Sequence, residues 1–179
     1  MEDSVSAAKK IIASYHGPAL RIMEVCGTHT HEIMRLGIRR LLPENVKLIS
    51  GPGCPVCVTP VGYIDEAVLL ALKHNAVICT FGDLIRVPGS EMDLAGARRR
   101  GAEVRMVYSP LDSEEYAKAH PEKEVVFLAV GFETTTPAAC LAVKKAVKDG
   151  LHNYSLLVAN KTMPNAYLAL KGRSEEHTS

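Results

Sequence analysis

Several features that would assign a function directly are missing from this sequence. It has no basic stripe with interleaved aromatic residues, aromatic residues make up 5% of the chain, and the net charge is +1, so nothing favours nucleic-acid binding. A P-loop and a G-x-G-x-x-G segment are both absent, which leaves nucleotide binding without a motif. Apolar runs such as residues 67–72 and 125–130 are far too short to span a bilayer. The sequence therefore predicts a protein that binds neither nucleic acid nor membrane.

Cysteine is scarce and odd in number, which bears on the compartment. The chain has five cysteines, and its polar, acidic first residues are unlike a secretory signal peptide. These two observations indicate a reducing compartment, so a cytoplasmic protein with functional thiols is predicted. At 179 residues and 47% hydrophobic, the chain can build a core as one domain or one and a part.

Short apolar segments alternate with amphipathic helical segments along the chain. Because a parallel sheet covered on both faces has apolar strands separated by helices, this alternation predicts an α/β fold with Rossmann-like parallel sheets. The polar, proline-containing segment 109–124 is predicted to separate a first lobe, residues 1–115, from a second, residues 116–172. The strands are predicted at residues 20–25, 46–50, 76–81, 103–109, 125–130 and 154–159.

Two helix starts have recognisable signals. After the second strand, Thr59 is a good N-cap and Pro60 suits the first helical position. Farther along, Ser90 and Asp93 have the spacing of a capping box. Helices are therefore predicted to begin at these two places.

The most distinctive stretch is residues 51–57, Gly-Pro-Gly-Cys-Pro-Val-Cys, between the second strand and the helix that follows it. Its glycines and prolines restrict the backbone and place Cys54 and Cys57 on one short loop. Such a pair can exchange electrons as a dithiol and a disulfide, bind a metal, or simply fill space, and a reducing compartment favours the first two. Since thiolates near a helix N-terminus are stabilised by the helix dipole, we expect lowered pKa values for this pair.

Nearly every unusual stretch of the sequence follows a predicted strand. In parallel sheets, the loops at the carboxyl ends of the strands line the binding crevice. The topology therefore predicts that one edge gathers Cys26, His29, His31, Cys54, Cys57 and Asp83. Glu133 follows the fifth strand.

Simpler interpretations exist for these residues. His29 and His31 are two positions apart, so a helix would point them to different sides and an extended segment to the same side. Either could hydrogen-bond at a helix terminus instead of contacting a metal. Asp83 after a glycine could be a turn residue, and residues 134–136 could only cap a helix with Pro137 at its first position.

The two remaining cysteines are predicted to be core residues. Cys79 lies inside the third strand, where a cysteine behaves as a small apolar residue. Cys140 falls on the helical face that contains Ala139 and Val143. Both are therefore expected to be buried.

Four motifs in the same order resemble the HypD family of hydrogenase maturation proteins, over roughly residues 15–172. They are Cys-Gly-Thr-His-Thr-His-Glu at 26–32, the loop at 51–57, Phe-Gly-Asp at 81–83 with Arg-Val-Pro-Gly-Ser at 86–90, and Gly-Phe-Glu-Thr-Thr-Thr-Pro at 131–137. The resemblance implies two α/β lobes that face each other across a cleft. It also implies a scaffold on which the iron of the [NiFe]-hydrogenase active site receives cyanide and carbon monoxide. The implied partners are a HypC-like chaperone and a HypE-like cyanide donor.

The resemblance also implies roles for individual residues. Cys26 is expected to be the iron-binding thiolate, with a cysteine of the chaperone as second ligand. Cys54 and Cys57 are expected to be a redox pair that could also contact the iron, in an assembly scaffold rather than a conventional enzyme. The other predicted site residues are Asp83 in a catalytic or supporting role, and His29, His31, Glu133 and Thr134 in binding.

Two departures from the family pattern lead to a further expectation. Family members are longer and carry additional cysteines for a [4Fe-4S] cluster, and these ligands are absent from this chain. Residues 173–179 are out of character and are predicted to be a non-native tail. The chain is therefore expected to be an N-terminal fragment with a truncated second lobe. It is not expected to function alone, because nothing in it would recharge the cysteine pair.

Two other functions stay open. One is a structural zinc site built from Cys54, Cys57 and the histidines, although zinc sites usually need four ligands and no second C-x-x-C or H-x-x-x-H is present. The other is a thioredoxin-like oxidoreductase. Its motif normally lies at a helix start after an aromatic residue, whereas Gly-Pro-Gly precedes the pair here.

Overall fold

The computed structural model describes residues 2–24, 27–51, 53–165 and 168. The chain forms two compact units, Met1–Val58 and Thr59–Ser179, and each contains a parallel sheet flanked by helices. The predicted α/β class with Rossmann-like parallel sheets is therefore confirmed. Within the described part, no helix is both long enough and apolar enough to cross a lipid bilayer.

The first unit is built on two parallel strands that are largely exposed. Leu20–Glu24 (β1) pairs with Val46–Ser50 (β2). In this register Leu20 lies opposite Val46, and Glu24 lies opposite Ser50. The apolar side chains of this sheet remain accessible, with Ile22 49% exposed and Ile49 39% exposed. The helical elements of the unit are Glu2–Ala13 (α1), Gly27–Arg35 (α2) and the 3₁₀ helix Ile38–Leu41.

Asn45 fixes the start of this sheet. Its side-chain amide donates to the Gly17 carbonyl at 2.7 Å, and its own carbonyl accepts from the Leu20 amide at 2.8 Å. Both strands therefore begin at one hydrogen-bonded corner. Because the strands are parallel and equal in length, their carboxyl ends also meet at one edge.

The second unit has a four-stranded parallel sheet with a closed apolar core. Its strands are Val77–Thr80 (β3), Val104–Met106 (β4), Val125–Gly131 (β5) and Tyr154–Asn160 (β6), and its helices are Val61–Lys73 (α3), the 3₁₀ helix Gly82–Arg86, Leu94–Arg99 (α4), Pro110–Ala119 (α5) and Thr136–Lys148 (α6). The strand order is β4-β3-β5-β6, and every residue of β3 and β5 is buried. Phe127 of β5 is 1% exposed, and its ring meets the Phe81 ring edge-on with 5.5 Å between centroids.

Helix α5 lies in the segment that the sequence predicts to separate two lobes. Ser109 and Asp112 form a capping box at its start, in which the Asp112 carboxylate accepts from the Ser109 amide at 2.9 Å. The predicted boundary between residues 115 and 116 falls inside this helix. One sheet spans that boundary, because β3 pairs with both β4 and β5. The two compact units are instead divided between Val58 and Thr59.

Two predicted helix starts differ in detail from the structure. Helix α3 begins at Val61 with Pro60 as its N-cap, one residue later than predicted. Asp93, rather than Ser90, caps α4, and its carboxylate accepts from an amide of the first turn at 2.6 Å. Ser90 binds Asp65 of α3 instead, through its amide at 2.7 Å and its hydroxyl at 2.6 Å. This contact fixes the segment before α4 against α3.

Candidate functional site

The cysteine-pair loop forms a closed turn of its own after β2. The Val58 amide donates to the Cys54 carbonyl at 3.2 Å, which closes a single turn. Residues three apart on such a turn lie on the same side, so Cys54 and Cys57 are neighbours. Cys54 is half-buried, Cys57 is exposed, and neither forms a disulfide. The pair does not lie in the first turn of α3, which begins only at Val61.

Gly51 brings the start of this loop against the end of β1. Its amide donates to the Glu24 carbonyl at 2.8 Å. A Cβ atom at position 51 would lie 3.3 Å from that carbonyl oxygen and would overlap the Met23 side chain. A larger residue here would have to displace Met23 and crowd the Glu24 carbonyl, so glycine suits this approach, and the loop with the cysteine pair leaves β2 directly beside the end of β1.

A buried carboxylate joins the ends of the two strands. Glu24, the last residue of β1, is 8% exposed, and its Oε1 accepts from the Ser50 hydroxyl at 2.8 Å. The Arg39 guanidinium lies 3.4 Å from the same oxygen. The Ser50 hydrogen bond, assisted by the Arg39 charge, holds the pKa of this carboxyl below its ordinary value.

Sequence reasoning assigned no role to Glu24. The available signal was a charged residue inside a predicted strand, two positions before Cys26. Cys26 itself lies outside the described residues, between β1 and α2 in sequence. Its role as the iron-binding thiolate therefore stays a prediction.

Helix α2 presents its two histidines to solvent. His29 and His31 are both exposed. Successive residues of an α-helix are turned by about 100° around its axis, so residues two apart point to different sides. The two imidazoles therefore cannot face one ligand together from this helix.

The zinc alternative requires the cysteine pair and the histidines to converge. Cys54, Cys57, His29 and His31 all belong to the part of the chain that the structure describes. Across that part, no group of three or more histidine, cysteine, aspartate or glutamate side chains is arranged to hold a metal ion. These four residues therefore do not assemble the structural zinc site.

The second unit places the other predicted site residues after β3 and β5. Asp83 is exposed in the 3₁₀ helix after β3, and Glu133 and Thr134 are exposed in the turn after β5. The strand order reverses between β3 and β5, which is where open α/β sheets bind ligands. A cavity of about 240 Å³ lies there, and its lining includes Phe81, Tyr108, Phe127, Thr134 and Asn160.

Hydrogen bonds hold the turn after β5. The Glu133 carboxylate accepts from the Met163 amide at 2.7 Å, which links this turn to the segment after β6. The hydroxyls of Thr135 and Thr136 both donate to the Phe132 carbonyl at 3.0 Å. Thr135 is the N-cap residue of α6 but makes no side-chain capping bond. The threonine hydroxyls therefore close the turn and do not cap the helix.

The single predicted edge is divided between two sheets. The cysteine pair and the histidines follow strands of the β1–β2 sheet, whereas Asp83 and Glu133 follow strands of the four-stranded sheet. Within each sheet, neighbouring parallel strands end at the same edge. The sequence pattern could not show that the strands belong to two sheets.

The two remaining cysteines differ from each other. Cys79 is fully buried in β3, as predicted, and burial raises the pKa of its thiol to about 12. Cys140 is exposed, so its predicted burial is wrong. Helix α6 turns its small residues toward the core and leaves Val143 36% and Val147 74% exposed. The buried residues of that helix are Ala139, Ala142 and Ala146.

The family profile and three similar curated proteins all point to hydrogenase maturation factors. The sequence profile of the family described as "Hydrogenase formation hypA family" matches residues 3–178. The chain is 51% identical over 151 residues to "Hydrogenase maturation factor HypD" of Cupriavidus necator, covering 84% of this chain and 40% of that protein. It is 52% identical over 152 residues to the protein of that name from Rhizobium leguminosarum bv. viciae, and this match covers 84% of this chain and 38% of that protein. It is 48% identical over 144 residues to the Escherichia coli protein of that name, and this match covers 80% of this chain and 39% of that protein. The chain thus spans about two-fifths of the length of these curated relatives.

Proposed function

Since this chain belongs to the HypD family, we propose that it takes part in hydrogenase maturation. In this proposal it is part of a scaffold that holds an iron centre while cyanide and carbon monoxide ligands are attached. One arrangement supports the proposal: the loops after β1 and β2 leave a shared sheet edge, and one of them presents two thiols. Soft thiolates suit an iron centre with strong-field diatomic ligands.

Cys26 is the proposed iron-binding thiolate, and the iron is the cargo of the scaffold. A cysteine of a HypC-like chaperone is the proposed second ligand. The position of Cys26 immediately before α2 supports this role, because a helix N-terminus favours the thiolate form. A cytoplasmic location would keep these thiols reduced.

Cys54 and Cys57 are proposed as a redox pair that exchanges electrons with the iron site and also lies close enough to contact it. Closing their disulfide breaks two S–H bonds, forms one S–S bond and releases two electrons and two protons. Their places three apart on one closed turn support this role, because such residues are near enough for a disulfide after a small adjustment. The protein would then be an assembly scaffold with thiol chemistry rather than a conventional enzyme.

The residues of this chain do not fit a [4Fe-4S] cluster. Such a cluster requires four cysteine thiolates. Apart from the three proposed site cysteines, the chain has only Cys79 and Cys140. Cys79 lies in the buried strand β3 and Cys140 on the exposed side of α6. No step proposed for this chain involves a cluster.

The remaining site residues are proposed to bind or orient the diatomic ligands or a partner. His29 and Asp83 are both exposed, as this role requires, and His31 points to another side of α2. Glu133 and Thr134 belong to the turn beside the cavity after β3 and β5. A HypE-like cyanide donor is the proposed second partner.

A chimera tests this function. In it, the chain replaces the matching part of the Cupriavidus necator factor, in a strain that lacks its own factor. We expect hydrogenase activity to be restored, and Cys26→Ala and Cys57→Ser each to abolish it. Cys140→Ser is the matched control, because it changes an exposed thiol of the second unit, and it should retain activity. Full activity in both Cys26→Ala and Cys57→Ser would contradict the proposal.

A further inference from the structure

One buried side chain connects the two loops that are proposed to hold the iron, yet the chemistry proposed above does not use it. Through Oε1, Glu24 accepts from the Ser50 hydroxyl at 2.8 Å and from the Arg39 guanidinium at 3.4 Å. Its main-chain carbonyl accepts from the Gly51 amide at 2.8 Å. One residue thus holds the end of β2, the first residue of the cysteine-pair loop and the 3₁₀ helix Ile38–Leu41.

The place of these contacts in the sequence gives them a consequence for the site. Glu24 is two residues before Cys26, and Ser50 is four residues before Cys54. With such short connections, the distance between the strand ends limits the distance between the two sets of thiols. The Glu24–Ser50 contact therefore joins the two strand ends from which the thiol-bearing segments leave.

One oxygen of this carboxylate gains nothing from these contacts. Its Oε2 is buried and has no hydrogen-bond partner in the described part of the chain. A buried carboxylate with an unsatisfied oxygen is unfavourable, and well-packed apolar residues would join two strands without that disadvantage. The two-stranded sheet around it is largely exposed.

We infer that Glu24 is a positioning residue for the thiol site: through Ser50 and Arg39 it holds together the ends of β1 and β2, from which the two thiol-bearing segments leave. The inference rests on the proposed function, because it requires Cys26 and the cysteine pair to bind one metal. Glu24 itself does not touch the metal. Its hydrogen bonds act on the two strand ends and on Gly51.

Cobalt(II) is a suitable probe, because thiolate ligands give it a charge-transfer absorption band. The 179-residue chain would be titrated with Co²⁺ under reducing conditions, and both the affinity and the band intensity per bound metal would be recorded. We expect Glu24→Ala to weaken binding at least tenfold and to lower the band intensity per metal. Glu24→Gln keeps an oxygen that accepts from Ser50 and Arg39, so it should bind within about threefold of the parent. Glu44→Gln, an exposed carboxylate of the same unit, is the matched control and should change neither quantity.

The outcomes separate this inference from the proposed function. A parent chain without the charge-transfer band would show that its thiols do not bind the metal together and would overturn the inference, whereas the proposed function is tested separately by the chimera with its chaperone. Normal binding by Glu24→Ala, or a loss with Glu24→Gln as large as with Glu24→Ala, would overturn the positioning role alone. Should Glu24→Ala not fold, Ser50→Ala decides, since it removes the same hydrogen bond from the exposed partner. Ser50→Ala with unchanged cobalt affinity would also overturn the inference.

Discussion

The two units of this chain differ in how their sheets are protected from water. In the first unit, Ile22 is 49% exposed on a sheet of only two strands. In the second unit, β3 and β5 are buried along their whole length, and Phe127 is 1% exposed. A two-stranded sheet is marginally stable at best, whereas a sheet with a closed core supports a cooperative unit. The thiols proposed for chemistry therefore lie in the less protected unit, as is usual for functional segments.

Removing a core aromatic ring should have the largest effect and should separate the units most clearly. We expect Phe127→Ala to lower the free energy of unfolding of the second unit by about 3–5 kcal/mol, because it leaves a cavity in the core. Ile22→Ala should lower that of the first unit by only roughly 1 kcal/mol, because half of the side chain is already in water. Urea unfolding combined with hydrogen exchange would report each unit. Similar losses for the two variants would mean that the sheets are equally well protected.

Two glycines offer a second comparison between the units. Gly51→Ala should destabilise the first unit by about 1 kcal/mol, because the added methyl group crowds the Glu24 carbonyl and displaces the Met23 side chain. Around Gly62, in α3 of the second unit, no neighbouring atom of the described residues lies within 4 Å of the place that a Cβ atom would take. Gly62→Ala should therefore stabilise the second unit by about 0.5–1 kcal/mol. Hydrogen exchange at β1 and α3 would measure both changes in stability, and equal effects of the two alanines would contradict this comparison.

The N-cap of α5 should have an effect of similar size, confined to the second unit. Ser109→Ala removes one half of the capping box, and we expect the free energy of unfolding to fall by about 1 kcal/mol. Ser155→Ala changes an exposed serine of β6 and serves as the control, with an effect within about 0.5 kcal/mol. Thermal unfolding would compare the two. Equal shifts would show that the capping box contributes nothing.

The smallest expected effect is a dependence on pH. The hydrogen bonds from Ser90 hold the pKa of Asp65 below its ordinary value of 3.8. A carboxyl whose pKa is lowered by folding adds stability above its unfolded pKa, and this contribution is lost as the pH falls through the folded value. The second unit should therefore lose stability as the pH falls below 3.8. Asp65→Asn should lose less over that interval, and identical urea midpoints for parent and variant at each pH would contradict the prediction.

Much of the fold could be predicted because apolar strands between amphipathic helices are a local signal. The α/β class, the places of all six strands and the loops at their carboxyl ends follow from that pattern. Helix α5 was not predicted, because its segment is polar and contains prolines, and such a composition is also typical of boundaries between domains. Its capping box, Ser109 with Asp112 three residues later, was a readable signal for a helix.

Features that depend on contacts between distant segments could not be predicted. The burial of Glu24 depends on the register that places it opposite Ser50 and on the approach of Arg39. Cys140 is exposed because small residues of α6 face the core, and the spacing of apolar residues does not show which of two overlapping faces is buried. The division of six strands into two sheets likewise follows from pairing.

Infrared spectroscopy of the chimera, purified with its HypC-like chaperone, would test whether thiols of the first unit hold the iron. Bound cyanide and carbon monoxide give separate bands, so the iron centre is observed without relying on hydrogenase activity. We predict both sets of bands in the parent chimera and in Cys140→Ser, and their loss in Cys26→Ala. Undiminished bands in Cys26→Ala would show that the iron is held elsewhere.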